Sequence, residues 1–172
     1  MLAQTKPAKH TDFGGLVYFA AIASAIVPID YYDYRPIEMS LPDVTTGAAD
    51  LTKLQFQDES LESVGCCHVL EHVGLGRYGD TLDVQGDLKA ARELKRVVAR
   101  GGQLLIVLPV GQPRVVFNAH RIYSYEQVLE MFSGLTLKEF TLFDPPKYIV
   151  NANPERAKGI AEGAGCFWFS KK

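Results

Sequence analysis

Two acidic residues stand where a nucleotide site in an open α/β sheet would need them. Asp33 lies in the aromatic apolar run Ile29–Tyr34, and Asp50 follows a weaker run near Val44–Ala49. In such sheets ligands bind beyond the carboxyl ends of the strands, near the point where strand order reverses. A carboxylate at Asp33 can accept both hydroxyl hydrogens of a ribose. Asp50-Leu51 sets a polar side chain beside an apolar one, which suits the edge and face of an adenine ring. Roughly twenty residues before Asp33 comes Asp12-Phe13-Gly14-Gly15, where Gly14 and Gly15 let the backbone approach a ligand. A second constellation is His68-Val69-Leu70-Glu71-His72. On a helix this H-x-x-E-H spacing would put both histidines on one face around a metal, with Glu71 activating a metal-bound water. The run before His68 reads as a strand rather than a helix, so the metal-dependent hydrolase stands only as an alternative and no metal is assigned.

The elements that must position these residues follow from patterning. Lys9–Phe13 reads as a short strand stopped by Gly14-Gly15. Leu16–Ile26, apolar on nearly every face, reads as a helix sandwiched in a core and ended by Pro28. Strands are expected over Ile29–Tyr34, Val44–Ala49 and Leu61–Val69, followed by a glycine-punctuated polar loop, Gly74–Gly86. Asp87 opens a helix that carries Leu88, Ala91, Leu94, Val97 and Val98 and stops at Gly101-Gly102. Gln103–Pro109 is a continuous apolar run of the kind buried on both faces of a sheet. A helix over Ser124–Phe132, a strand over Leu135–Phe143, a long proline-bearing loop and a strand over Cys166–Ser170 complete the chain. The alternation predicts a single domain, residues 1–172, with a parallel sheet covered on both sides and the last two strands paired antiparallel at one edge.

Composition narrows the function classes. The 172 residues carry a net charge of −2 with no basic block, so neither nucleic acid nor an anionic membrane is an expected partner. The uncharged stretch Gly14–Ile29 is short for a bilayer span and a poor signal peptide. Three cysteines, Cys66, Cys67 and Cys166, sit in apolar runs and read as buried thiols of a reducing compartment, which makes the cytoplasm the expected location.

Two segments then carry a family resemblance. Asp50–Val73, DLTKLQFQDESLESVGCCHVLEHV, resembles the acidic third motif and fourth strand of class I S-adenosylmethionine-dependent methyltransferases. Glu93–Gly111, ELKRVVARGGQLLIVLPVG, resembles that family's helix–Gly-Gly–strand signature. The stretches EHVGLGRYGD, Glu71–Asp80, and FNAHRIYS, Phe117–Ser124, look closer still to an uncharacterised methyltransferase-like group, a domain of unknown function. The resemblance implies a Rossmann-like, mostly parallel seven-stranded sheet with an antiparallel last strand, and S-adenosylmethionine as cofactor. It further implies that Asp12 and Gly14 lie at the methionine end and that Asp33 holds the ribose. Tyr34 would flank the adenine, Asp50 and Leu51 would contact it, and Cys67 and His68 would line the sulfonium side. The family's glycine pattern is broken here, because its second and third glycines fall on Leu16 and Tyr18.

Methyl transfer needs alignment of donor and acceptor and sometimes removal of a proton. His72 and His120 are the candidate bases, because histidine titrates near neutrality, and Glu71 could orient one of them. Packed structural roles suit both histidines equally well. Arg77, Tyr78, Arg121 and Tyr123 are candidates for holding a polar or anionic acceptor. The expected activity is methylation of a small molecule or saccharide. A noncatalytic relative of the fold, serving as a binding or assembly partner, is the alternative that Leu16 and Tyr18 motivate, and a homo-oligomer or a protein partner fits either reading.

Overall fold

The computed structural model describes residues 1–172 as an eight-stranded sheet, helices on both of its faces, and a separate two-stranded hairpin. A short helix α1 (Leu2–Thr5) precedes β1 (His10–Phe13), α2 (Val17–Ala23), β2 (Ile29–Asp33), β3 (Val44–Ala48) and β4 (Leu61–Cys67). A 3₁₀ turn (Leu70–His72) follows β4 and leads through a loop to α3 (Gly86–Val97) and β5 (Val98–Gly111). The hairpin is β6 (Arg114–Val116) and β7 (His120–Ile122). Then come α4 (Tyr125–Met131), β8 (Thr136–Asp144), β9 (Lys147–Ile149), α5 (Pro154–Lys158) and β10 (Glu162–Ser170).

The sheet order is β3-β2-β1-β4-β5-β10-β8-β9. Neighbours from β3 through β5 are parallel, whereas β10 runs antiparallel to both β5 and β8. Strand order therefore reverses between β1 and β4, where a crevice opens beyond the strand ends. This is the Rossmann-like methyltransferase arrangement: seven strands with one antiparallel, to which the three-residue β9 adds an outer edge. The antiparallel pair β8–β10 forms as expected, but β10 lies one strand in from β8 rather than at the rim.

Alternation along the strands divides the apolar side chains between two cores. Ile29 and Tyr31 of β2 join Leu2, Ala20, Ala23 and Val27 under α1 and α2. The larger core lies under α3, α4 and α5, where Val64, Leu104, Ile106, Leu108 and Phe167 meet Ala91, Leu94, Val128 and Ala157. Helix α4 is opened by a capping box, with Ser124 accepting from the Gln127 N–H and the Gln127 side chain accepting from the Ser124 N–H.

Several expected boundaries move. Helix α2 spans only Val17–Ala23 and is not sandwiched, since Tyr18, Ile22 and the following Ile26 are exposed. One layer of strands cannot cover both sides of an all-apolar helix. Val98 leaves the helix and pairs with Leu61, so β5 begins before Gly101-Gly102 and carries those glycines as an irregularity opposite Leu61–Ser63. The proline-bearing loop instead contains β9 and α5, the latter started by Pro154 behind the Asn153 cap. Helix α1 and the β6–β7 hairpin are further elements that periodicity did not reveal, being too short to show a pattern.

Candidate active site

The ends of β1 to β4 surround a cavity of about 470 Å³. Its floor is the turn after β1, where Gly14 and Gly15 take φ of 68° and 86°, the left-handed region that glycine enters freely. A Cβ at Gly15 would overlap the Cys67 carbonyl oxygen, and one at Gly14 would crowd Val69 and Asp33. Only glycines let this turn lie against β4. The Gly14 N–H donates to the Tyr32 carbonyl at 2.6 Å, which fixes the turn to the end of β2.

The two acidic residues flank that floor on neighbouring strands. Asp33 ends β2, and its Oδ1 accepts the Arg35 N–H at 2.8 Å. Asp50 lies two residues past β3, and its Oδ1 accepts both the Thr52 N–H (2.8 Å) and the Thr52 hydroxyl (2.7 Å). The Ala49 N–H donates to the Asp33 carbonyl at 3.0 Å, so both acids belong to one rigid rim. Tyr32, Ala49, Leu51 and Val69 supply apolar wall. Carboxylates on the rim and apolar surface between them fit a nucleoside, its ribose hydroxyls donating and its base lying flat.

Beyond β4 the chain turns abruptly. His68 has φ of 57°, uncommon for a residue with a Cβ. That conformation brings its Nδ1 to 3.0 Å from Glu71 Oε1. The hydrogen bond raises the His68 pKa, against the lowering effect of partial burial, and attraction to the Glu71 charge adds to the rise. Glu71 is buried, with Oε2 lacking any partner. His72 Nδ1 lies 2.6 Å from the Ala119 carbonyl. A carbonyl only accepts, so Nδ1 carries the hydrogen and a neutral ring keeps its lone pair on Nε2. Because Leu70–His72 is a 3₁₀ turn entered through a left-handed residue, His68 and His72 do not share a helical face. The arrangement required by the metal-hydrolase alternative is therefore missing, and no three His, Cys, Asp or Glu side chains converge as metal ligands.

The loop of residues 74–86 closes the far wall. Asp80 folds it by accepting the N–H groups of Gly74 (2.8 Å), Gly76 (3.3 Å) and Tyr78 (3.2 Å). Desolvation pushes the Asp80 pKa up, but these N–H bonds together outweigh it and hold the group below its ordinary value. Asp83 is likewise engaged, by Lys89 at 2.6 Å and the Gln85 N–H at 3.0 Å. Behind the loop, buried Arg121 donates to the Val73 carbonyl at 2.7 Å and lies 3.5 Å from Asp87, which accepts the Tyr123 hydroxyl at 2.9 Å. Arg121 and Tyr123 thus brace the wall and are not free to hold an acceptor.

Of the residues singled out from sequence, Gly14, Gly15, Asp33, Tyr34, Asp50, Leu51, His68, His72 and Tyr78 line this cavity. Asp12, Cys67, Glu71, Arg77 and His120 do not. Asp12 points to the opposite side of β1, fully buried, and burial lifts its pKa to about 7. Burial likewise raises the Cys67 thiol. His120 Nε2 lies 3.1 Å from Glu162, outside the cavity, with its ring 6.3 Å from that of His72. Leu16 reaches the cavity, whereas Tyr18 is exposed on the outer side of α2 and crowds nothing. Sequence reasoning missed Tyr32, Arg35, Thr52 and Val69. The alternation of β2 could have revealed Tyr32, because Tyr31 and Tyr32 must face opposite ways.

Similarity to solved structures agrees with the topology. A putative methyltransferase from Bacillus halodurans superposes with a TM-score of 0.64 at 16% identity, covering 95% of this chain and 92% of that one. A chain from the complex of the Haloferax volcanii Trm112 methyltransferase activator with a putative methyltransferase gives 0.65 at 13%, covering 95% and 81%. The Haemonchus contortus phosphoethanolamine N-methyltransferase 2, solved with S-adenosylmethionine, gives 0.67 at 14%; this chain, 99% covered, spans about half (51%) of that one. At these identities the likeness establishes the fold. No curated protein matches the sequence. The family model described as "Caenorhabditis protein of unknown function, DUF268" matches residues 22–145, most of the chain, and the protein belongs to that family.

Proposed function

We propose that the chain is an S-adenosylmethionine-dependent methyltransferase acting on a small molecule, saccharides included. The observation that carries this reading is the joint position of Asp33 and Asp50 on one rim above the Gly14–Gly15 turn. That pairing suits the ribose and the exocyclic amine of an adenosyl group, with Tyr34 and Leu51 against the base. When bound, S-adenosylmethionine supplies a methyl group on a sulfonium, open to in-line displacement by an acceptor lone pair. The protein's own part is alignment and proton removal. His72 would remove the proton: its ring lines the cavity, and the Ala119 carbonyl holds its Nδ1–H, which leaves Nε2 as the basic atom. Glu71 Oε1, 3.9 Å from that Nε2 and bonded to His68, can stabilise the proton once taken.

Calorimetric titration with S-adenosylmethionine and S-adenosylhomocysteine tests the reading. Micromolar binding is expected, and Asp33→Ala should weaken it by about 1.5–3 kcal/mol through loss of charge-assisted hydrogen bonds. Absence of binding in folded protein would favour the second reading, a noncatalytic assembly partner, for which Leu16 at the expected glycine position is the specific observation.

A further inference from the structure

Resting on the methyltransferase reading of the cavity, we propose that the acceptor is a soluble phosphate monoester anchored by Arg35 and Arg77. Arg35, from the loop after β2, lines the cavity, and Arg77 stands in the loop of residues 74–86 next to Tyr78, which lines it too. Both arginines meet that one aromatic ring. The guanidinium carbon of Arg35 lies 4.6 Å from the centroid of Tyr78 and that of Arg77 lies 5.6 Å from it. Arg77 Nε also donates to the Tyr78 hydroxyl at 3.3 Å.

The charge balance at this point is unusual for the molecule. Arg96, Arg100, Arg114, Arg121 and Arg156 each pair with a carboxylate. Arg35, Arg77 and Arg92 pair with none, and of these three only Arg35 and Arg77 meet at a common ring. The neighbouring acids form no ion pair with either guanidinium: Asp33 takes the Arg35 backbone N–H, both oxygens of Asp80 take loop N–H groups, and those of Asp83 take Lys89 and Gln85. Two guanidinium forks on one aromatic platform match a dianionic phosphate, which accepts several N–H bonds at once, better than a single-charged carboxylate. The same Tyr78 ring stands edge-on to His72, with centroids 5.5 Å apart. A phosphate at Arg35 and Arg77 would therefore hold the rest of the acceptor about one ring's width from the candidate base. The phosphate itself forms and breaks no bond; it is a handle.

The test uses arginine Nε–H signals in NMR spectra of the full chain, at constant ionic strength, titrated with inorganic phosphate, glycerol 3-phosphate, acetate or phosphatidate-containing vesicles. Phosphate and glycerol 3-phosphate should shift Arg35 and Arg77 saturably. Arg35→Gln and Arg77→Gln should each weaken that binding roughly five- to tenfold, whereas Arg92→Gln, in a separate groove, should leave it unchanged. Acetate binding as tightly as phosphate would overturn the phosphate assignment. A response only to the vesicles would overturn the soluble acceptor. No response at the two arginines would overturn the site. S-Adenosylhomocysteine titrated into the same samples separates the two readings: binding without any phosphate response sinks the anion site alone, and the reverse sinks the methyltransferase reading and with it the acceptor role, leaving only an anion site.

Discussion

His10 and Asp12 project from the same face of β1 into the interior beside Gly65, and neither His10 Nε2 nor either Asp12 oxygen has a hydrogen-bond partner. His10 Nδ1 is held at 2.7 Å by Ser63. Burial drives their proton affinities in opposite directions, Asp12 up to about 7 and His10 down to about 4. The folded protein keeps a proton on Asp12 that the unfolded chain releases, so this group's stabilisation falls as pH rises from about 4 to about 7. It refuses a proton on His10 that the unfolded chain takes, so that contribution grows as pH rises from about 4 to 6.5. The two slopes largely cancel. Asp12→Asn removes the falling one and should be the more stable protein above pH 7, by on the order of 2 kcal/mol. Its urea midpoint should also climb between pH 4 and 6.5, where that of the wild type stays level; parallel curves would show that Asp12 ionises freely. The acid that opens the expected cofactor motif is thus one whose chemistry the sequence could not assign, because a strand of only four residues, buried at each, gives no alternation from which to tell its faces.

At the scale of elements, the turn after β1 and the loop of residues 74–86 do different work with the same amino acid. Gly15 faces the Cys67 carbonyl so closely that a Cβ there must displace β4, whereas Gly79, with φ of 85°, has open space around it. Gly15→Ala should therefore lower the melting temperature and abolish the proposed binding of S-adenosylmethionine. Gly79→Ala should cost only the left-handed strain, about 1–2 kcal/mol, and leave binding intact. Thermal melts and titrations of both variants distinguish collision from strain. The glycine pair and the acids at the end of β2 and after β3 were legible in sequence because each closes or follows a short strand-like run. The tight turn after β4 was not. His68 adopts a left-handed backbone that no pattern announces, and its contact with Glu71 exists only because of that backbone.

For the whole molecule, two cores of unequal size lie on either side of the sheet. Ile106 is completely buried in the larger, and Ile106→Ala should cost about 2–5 kcal/mol. Val115, exposed on the hairpin, should tolerate alanine within about 0.5 kcal/mol, as denaturant titrations would show. The parallel half of the fold was readable from the apolar runs of β2, β4 and β5 and from the helical spacing of α3, although no helix separates β2, β3 and β4. The C-terminal third was harder, since β9 and α5 are three and five residues long and draw their stability from docking rather than from pattern.

The inner position of β10 also bears on how the protein is made. Ribosomes deliver a chain from its N-terminus, and β10 is synthesised after both strands that it joins. Until then β5 and β8 each present an unpaired edge, with Leu104, Ile106, Leu108, Phe140 and Leu142 awaiting Phe167 and Phe169. The nascent domain can assemble its parallel strands early, yet it stays adhesive until β10 slides between two strands that are already waiting, which makes this stage of its birth the one at which a chaperone matters most.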